Sequence, residues 1–457
     1  MAAVRRLFGT DGIRGEANVH PMTPEVALRV GMAVAAHFGR SGRMLVGKDT
    51  RRSGYLLESA LASGACAMGA DVMFVGPLPT PGIAYLTRSM RASAGVVISA
   101  SHNPFEDNGI KLFGADGYKL VDEVEADLER RMEHGDFEGE RARGEDIGAA
   151  VRIDDAAGRY ITHLKQAFAC EGDLQGLRIV VDCAHGAAYR VAPAVFSELG
   201  AEVIARGVTP NGVNINDGCG ATHPQALCEW VKESGADLGI ALDGDADRVI
   251  FADERGEIVD GDAIMAMCAR DLHQRQALQG GAVVATVMSN LGLERALAEV
   301  GISLLRTAVG DRYVVDAMRR SGCNLGGEQS GHLIFLDHAT TGDGVVAALQ
   351  VLTLLLRNET PLSELAKVMT RVPQALRSFA VPQRIPLNRL PVLSRAIRRV
   401  EGELGDDGRV LVRYSGTENK MRIMVEGLDA ARIDDLAQHL ETVALSELGS
   451  PRHDAPS

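Results

Sequence analysis

Short apolar runs that end in polar loops recur along this chain. Arg43-Met44-Leu45-Val46-Gly47 leads into a helical stretch, then Met68-Gly69-Ala70-Asp71-Val72 and a second apolar run. The same order returns at Arg178-Ile179-Val180-Val181-Asp182 with Glu198-Leu199-Gly200-Ala201-Glu202-Val203. It returns more weakly at Ala282-Val283-Val284-Ala285-Thr286 with Glu299-Val300-Gly301-Ile302-Ser303. Strand, loop, helix, glycine, strand is the order of a parallel βαβ unit. Three copies predict three related α/β domains in tandem. A smaller α+β segment follows, with strands at Arg409–Arg413 and Met421–Glu426 and a helix from about Asp429 to Leu448. Residues 131–150 are rich in charge and glycine and read as a boundary. Residues 371–390 carry Pro373, Pro382 and Pro386 and read as a linker that could hinge. The tail from Ser450 to Ser457 reads as disordered.

Length supports several domains, since 457 residues exceed what one core holds. Aromatics make up only 4% of residues and glycines number 51, which favours Val/Ile/Ala-rich layers with tight turns over an aromatic-rich sandwich. The net charge is −13 with no basic tract, which argues against nucleic acid as a partner. An anion site would then need its cations focused locally. The 7 cysteines form no CxxC pair and read as reduced thiols of a cytoplasmic protein. No apolar signal segment is visible at the N-terminus. The longest apolar stretch, Val345 to Leu356, contains Gln350 and is too short to span a bilayer, so no membrane partner is expected.

Two segments carry the sharpest chemistry. Ser99-Ala100-Ser101-His102-Asn103-Pro104 follows the apolar run Gly95–Ile98 and presents a serine on a tight loop at a strand end. Asp243-Gly244-Asp245-Ala246-Asp247-Arg248 follows the strand Leu238–Leu242. Carboxylates at alternate positions of an irregular loop can converge on one hard cation, and three oxygen donors suit Mg²⁺. With Glu254, the spacing also fits an EF-hand, but Arg248 stands where that loop needs glycine and Val249–Ala252 reads as a strand. A phosphoserine beside three aspartates would be repelled unless a cation lay between them, so the two segments make sense together. Alone, Ser101 could equally cap a helix, and the aspartates could be solvated turn acids. His102 on an extended loop would point away from Ser101.

Other segments add to this. Asn108-Gly109-Ile110-Lys111 could bring Lys111 to the same loop, to neutralise charge or, if burial depresses its pKa, to act as general acid or base. Arg413-Tyr414-Ser415-Gly416-Thr417-Glu418-Asn419-Lys420 has the composition of a phosphate clip without a Walker pattern. Gly326-Gly327-Glu328-Gln329-Ser330-Gly331-His332 could turn Glu328 and Ser330 towards sugar hydroxyls. Gly9-Thr10-Asp11-Gly12-Ile13-Arg14-Gly15 could aim Arg14 at an anion. Each of these could also be an ordinary polar turn.

Taken together, in this order from Phe8 to Arg422, the five loops resemble the α-D-phosphohexomutase superfamily. The resemblance implies four domains around a central cleft: three related α/β domains with mixed sheets, at 1–155, 156–258 and 259–370, and a smaller α+β domain at 371–457. It implies that Ser101 is the phosphorylated serine and that its phosphoryl group joins Asp243, Asp245 and Asp247 around one Mg²⁺. Glu328 and Ser330 match the sugar-contacting loop. Arg413, Ser415, Gly416, Thr417 and Arg422 match the phosphate-binding loop. Arg14, Lys111 and Arg248 match cationic positions of the transfer region, and His102 joins the catalytic candidates as the serine's neighbour.

Phosphomannomutase/phosphoglucomutase relatives carry a histidine where this chain has Val309-Gly310-Asp311-Arg312, which favours the branch acting on glucosamine phosphates. The expected reaction interconverts glucosamine 6-phosphate and glucosamine 1-phosphate through a hexosamine 1,6-bisphosphate, with Lys111 as candidate base. The product would feed UDP-N-acetylglucosamine and cell-wall precursors. The serine must first be charged by a kinase or a bisphosphate sugar, and a homodimer is left open. The rivals are a phosphoglucomutase/phosphomannomutase, a Mg²⁺-dependent phosphatase with an aspartyl nucleophile at Asp243 or Asp245, and a non-catalytic sugar-phosphate sensor.

Overall fold

The computed structural model describes residues 7–9, 11–39, 42–135, 137–168, 172–415 and 419–449. Two compact units emerge. The larger comprises 1–286 with 302–368, the smaller 287–301 with 369–457.

The larger unit holds three sheets. The first has β1 (Ile13–Glu16), β2 (Arg43–Lys48), β3 (Asp71–Pro77), β4 (Ala94–Ile98), β5 (Asp107–Gly114) and β6 (Ala150–Arg152), in the order β1-β5-β4-β2-β3-β6. The second has β7 (Arg178–Asp182), β8 (Glu202–Arg206), β9 (Leu238–Leu242), β10 (Val249–Ala252) and β11 (Ile258–Val259), in the order β11-β10-β9-β7-β8. The third has β12 (Ala282–Thr286), β13 (Ser303–Thr307), β14 (Leu325–Gly327) and β15 (Leu333–Phe335), in the order β13-β12-β14-β15.

One four-strand pattern repeats in all three. A strand pairs in parallel with the next (β2 with β3, β7 with β8, β12 with β13) and on its other side with a third (β4, β9, β14). The third strand then turns back antiparallel into a fourth (β5, β10, β15). The central strands β4, β9 and β12 are buried at every position, the signature of a sheet covered on both faces. In the first sheet, helices Pro24–Phe38 and Ser53–Ala67 supply much of that cover through Val30, Val34, Leu57 and Leu61.

The smaller unit has an antiparallel sheet of β16 (Gln374–Ala380), β17 (Arg409–Tyr414) and β18 (Lys420–Glu426), in the order β16-β18-β17. Helices Pro391–Leu404 and Ala430–Leu448 share its core through Leu393, Val400, Ile433 and Leu440. The segment 287–301 belongs to this unit: Asn290 exchanges hydrogen bonds with the Val372 backbone (2.9 Å each way) and donates to Glu426 (3.0 Å).

Two readings change. Residues 371–390 are not simply a linker, because Gln374–Ala380 pairs along its whole length with β18. The charged 131–150 stretch is followed at once by β6, which still pairs with β3. The apolar run near Val345 is the buried helix Gly344–Asn358, and among the described residues no helix is long and apolar enough to cross a membrane. The tail from Ser450 lies outside the described residues.

Candidate functional site

The hairpin turn between the third and fourth strand of each repeat carries one of the expected chemistries. Ser101 lies between β4 and β5, the aspartates between β9 and β10, and Glu328 between β14 and β15. Strand ends are where α/β sheets form ligand sites.

Ser101 is buried and sits in the left-handed region, φ +52°. Its Oγ donates to Asp243 Oδ2 at 2.6 Å. Asp243, Asp245 and Asp247 are all buried, and one carboxylate oxygen from each lies within 4.8 Å of the others. Thr80 Oγ1 donates to Asp245 Oδ2 (2.6 Å), and the Arg248 N–H donates to Asp243 Oδ1 (3.2 Å). Asp245 Oδ1 and Asp247 Oδ1 are buried without a hydrogen-bond partner. Buried carboxylate oxygens left bare in this way fit a hard divalent cation. Burial, then the Asp247 and Asp245 charges, push the Asp243 carboxyl well above the usual range. Burial acts the same way on Asp247, but Lys111, then His332 and Arg248, outweigh it and hold the Asp247 carboxyl well below that range.

Cations surround the cluster. Lys111 Nζ, also buried, lies 2.9 Å from Asp245, 3.2 Å from Asp11 and 3.6 Å from Asp247. Burial alone would lower its pKa, but Asp11, Asp245 and Asp247 outweigh it and raise it. Lys111 is thus held as an ammonium that offsets the charge of these carboxylates. Arg14 Nη1 donates to Ala100 O (3.4 Å) and Nη2 pairs with Asp11. The Nε atoms of Arg14 and Arg248 are buried without a hydrogen-bond partner, Arg248 Nε lying 3.9 Å from Asp247 Oδ1.

His102 corrects another expectation. The positive φ of Ser101 turns the chain so that His102 Nδ1 stands 3.4 Å from Ser101 Oγ, not away from it. Burial and the nearby Arg248 and Arg14 charges lower its pKa to about 4.

In the third hairpin, Glu328 accepts the Gly310 N–H (3.2 Å) and the Ser330 hydroxyl (3.3 Å), so the two side chains do share one side of the loop. Ser330 is exposed and Glu328 buried. The Gly342 N–H donates to His332 Nε2 (3.2 Å), which assigns the proton of the neutral ring to Nδ1, facing Asp247 Oδ2 at 3.7 Å.

The phosphate-loop candidates belong to the smaller unit. Arg413 on β17 and Arg422 on β18 are directly paired positions. Like charges opposite one another across strands are unfavourable without an anion between them. Burial, then Arg422, lowers the Arg413 pKa. Ser415 is buried and its N–H donates to Lys420 O (2.8 Å). Gly416 and Thr417 lie outside the described residues.

Several site groups escaped the sequence reading. Lys119 bridges Asp11 and Asp311, and Asp311 lies 3.8 Å from His332 Nε2. With Lys111 on β5 and Asp247 these close a ring of acidic and basic side chains drawn from segments around all three sheets. No local pattern marks Lys119 or Asp311: each follows a largely exposed turn, and their partners lie up to 192 residues away.

The phosphoglucomutase/phosphomannomutase family models match in sequence order: alpha/beta/alpha domain I at residues 5–139, domain II at 158–256, domain III at 260–372 and the C-terminal domain at 361–443. A phosphoglucosamine mutase of Anaeromyxobacter sp. (strain Fw109-5) is 62% identical over 448 residues, 95% of each chain. That of Anaeromyxobacter dehalogenans (strain 2CP-C) is 60% identical, covering 97% of this chain and 100% of its own. Among solved structures, a phosphoglucomutase/phosphomannomutase family protein from Burkholderia thailandensis matches 98% of both chains with a TM-score of 0.80 at 24% identity, a likeness of fold.

Proposed function

The chain belongs to the phosphoglucosamine mutases of the phosphoglucomutase/phosphomannomutase family, and we propose that it moves phosphate between O6 and O1 of glucosamine through a phosphoserine at Ser101. The observation that carries this reading is Ser101 Oγ, 2.6 Å from Asp243 in a buried three-carboxylate cluster with two bare oxygens.

In the first half-reaction the free O1 of glucosamine 6-phosphate attacks phosphorus on Ser101. The O1–P bond forms as the P–Oγ bond breaks, giving glucosamine 1,6-bisphosphate and free Ser101. The O1 proton replaces phosphorus on Oγ, and His102 Nδ1 is placed beside Oγ to pass it. The bisphosphate then turns round. Ser101 Oγ attacks the phosphorus of the 6-phosphate, the Oγ–P bond forms as the P–O6 bond breaks, the Oγ proton ends on O6, and glucosamine 1-phosphate leaves. Lys111 and Arg14 offset charge on the moving phosphoryl group, and most of the acceleration comes from positioning and electrostatics. Asp243, Asp245 and Asp247 would hold Mg²⁺, which when bound supplies further charge neutralisation at the phosphoryl oxygens. Glu328 and Ser330 orient the sugar, while Arg413, Ser415 and Arg422, with Gly416 and Thr417, take the phosphate that is not reacting. A kinase or a bisphosphate sugar would charge Ser101 for the first cycle.

Ser101→Ala is the test. Turnover on glucosamine phosphates should fall by several powers of ten, on the order of 4 kcal/mol or more in the barrier. Phosphate on the tryptic peptide containing Ser101 should be found in active protein. Retained turnover, or phosphate only elsewhere, would reject the route. Parallel assays on glucosamine, glucose and mannose phosphates test the branch.

A further inference from the structure

A guanidinium is buried only where its N–H groups find acceptors. Arg51 is fully buried, and its acceptors are unusually concentrated. Nε donates to Asp49 Oδ2 (2.8 Å). The terminal nitrogens reach four backbone carbonyls of the Ser101 loop. Nη1 takes Pro104 O and Asp107 O (3.0 Å), and Nη2 takes Ser101 O (2.9 Å) and Asn103 O (2.8 Å).

A second side chain grips the same atoms. Asn216, from the loop between β8 and helix Gln225–Ser234, donates Nδ2 to Ser101 O (2.9 Å) and Asn103 O (3.1 Å). Ser101 O and Asn103 O are therefore each held twice, from the first sheet's side by Arg51 and from the second's by Asn216. The aspartate loop closes on this clamp: a Cβ at Gly244 would stand 2.6 Å from Ser101 O and 2.8 Å from Asn216 Nδ2. Asp49 completes the frame, accepting from Arg51 and from Ser99 Oγ (2.6 Å), which in turn accepts the Ser101 N–H (2.9 Å).

We propose that Arg51 and Asn216 are positioning residues for phosphoryl transfer, fixing the Ser101 loop so that Oγ faces Asp243. The inference rests on the phosphoserine reading above. A serine at positive φ persists only where its surroundings over-determine the backbone. Carbonyls drawn to one guanidinium and one amide, on two different loops, supply that constraint. Neither side chain has a hydrogen bond to Ser101 Oγ or to a carboxylate of the cluster, so both act through alignment. A displacement of about 1 Å at the reacting atoms costs on the order of 100-fold in rate.

The test uses Arg51→Lys, which keeps a charge beside Asp49 but cannot fork to the carbonyls, together with Asn216→Ala. Turnover is measured with Mg²⁺ and glucosamine 6-phosphate and expressed per phosphorylated Ser101, counted by mass spectrometry. Expected is a kcat lower by roughly 10- to 100-fold with KM within about threefold. The double variant should lose less than the product of the single losses, because both residues hold the same carbonyls. A merely structural role would shrink the active fraction and leave kcat per phosphorylated site unchanged. If Arg51→Lys does not fold, Asn216→Ala decides alone. A kcat per site within twofold of the parent, or a loss confined to KM, overturns the proposal. Ser101→Ala assayed alongside separates the two readings. Retained turnover there means the phosphoserine route has failed. An inactive Ser101→Ala with normal positioning variants means that only the clamp has.

Discussion

Asp343 offers a quantitative check on how the aspartate loop is supported. It caps helix Gly344–Asn358, accepting the Val345 and Val346 N–H groups at 3.0 Å, and it receives the buried Tyr160 hydroxyl at 2.6 Å. The first residue of that helix donates its N–H to Ala246 O (3.0 Å), inside the aspartate loop. Burial raises the Asp343 pKa from 3.8 to about 6, against the opposing pull of Tyr160 and the two N–H groups. Between those values the folded state binds more protons than the unfolded chain. The stabilisation is therefore full below about pH 3.8 and is lost as pH rises through about 6. Integrated from pH 7 down to pH 5, the gain is about 1.3 kcal/mol, and Asp343→Asn should abolish it because the amide still caps but does not titrate. Urea unfolding at both pH values, followed through the fluorescence of Trp230 in the same compact unit, measures the difference between parent and variant. Equal pH dependence in the two proteins would refute a raised pKa at Asp343.

Asp245→Asn with Asp247→Asn should remove the Mg²⁺-induced rise in Tm, which for the parent corresponds to about 2.7 kcal/mol at 100 times Kd; a calorimetric Mg²⁺ titration of both proteins checks this. Arg422→Met should raise KM for glucosamine 6-phosphate by roughly 10- to 100-fold, the worth of a charge-assisted hydrogen bond, without lowering Tm, since it also relieves the Arg413–Arg422 opposition. Lys111→Gln should destabilise the Mg²⁺-free protein by roughly 3–5 kcal/mol, because it strips the ammonium from three carboxylates, and added Mg²⁺ should recover part of the loss in Tm.

What the sequence disclosed follows a physical divide. The βαβ copies were legible because their strands are short, fully apolar and followed by helices, and the aspartate loop was legible because its three carboxylates lie within five residues. The strand Gln374–Ala380 was hidden by Pro373 and Pro382, which bound an edge strand whose residues, Ala375 apart, are half-exposed or exposed. The orientation of His102 depends on one non-glycine residue at positive φ, which no local pattern announces. The carboxylates around Lys111 were not legible, because Asp11 and Asp245 lie 100 and 134 residues away. Arg51 and Asn216 left no trace because they bind backbone carbonyls, and a carbonyl has no sequence signature.

The three repeats explain why so dispersed a set of residues can form one site. Each contributes the turn after its third strand, a position the sheet order fixes rigidly while leaving the turn's residues free. One turn became a strained serine loop, the next an acidic cage, and the third a buried glutamate beside an exposed serine. These turns are joined by side chains, not by chain continuity: Lys111 and Thr80 reach Asp245, His332 faces Asp247, and Asn216 reaches Ser101 O. The consequence is mechanical. A shift of one repeat against another strains bonds at Ser101 itself, so the alignment of Ser101 with Asp243 depends on packing between the repeats as much as on either loop.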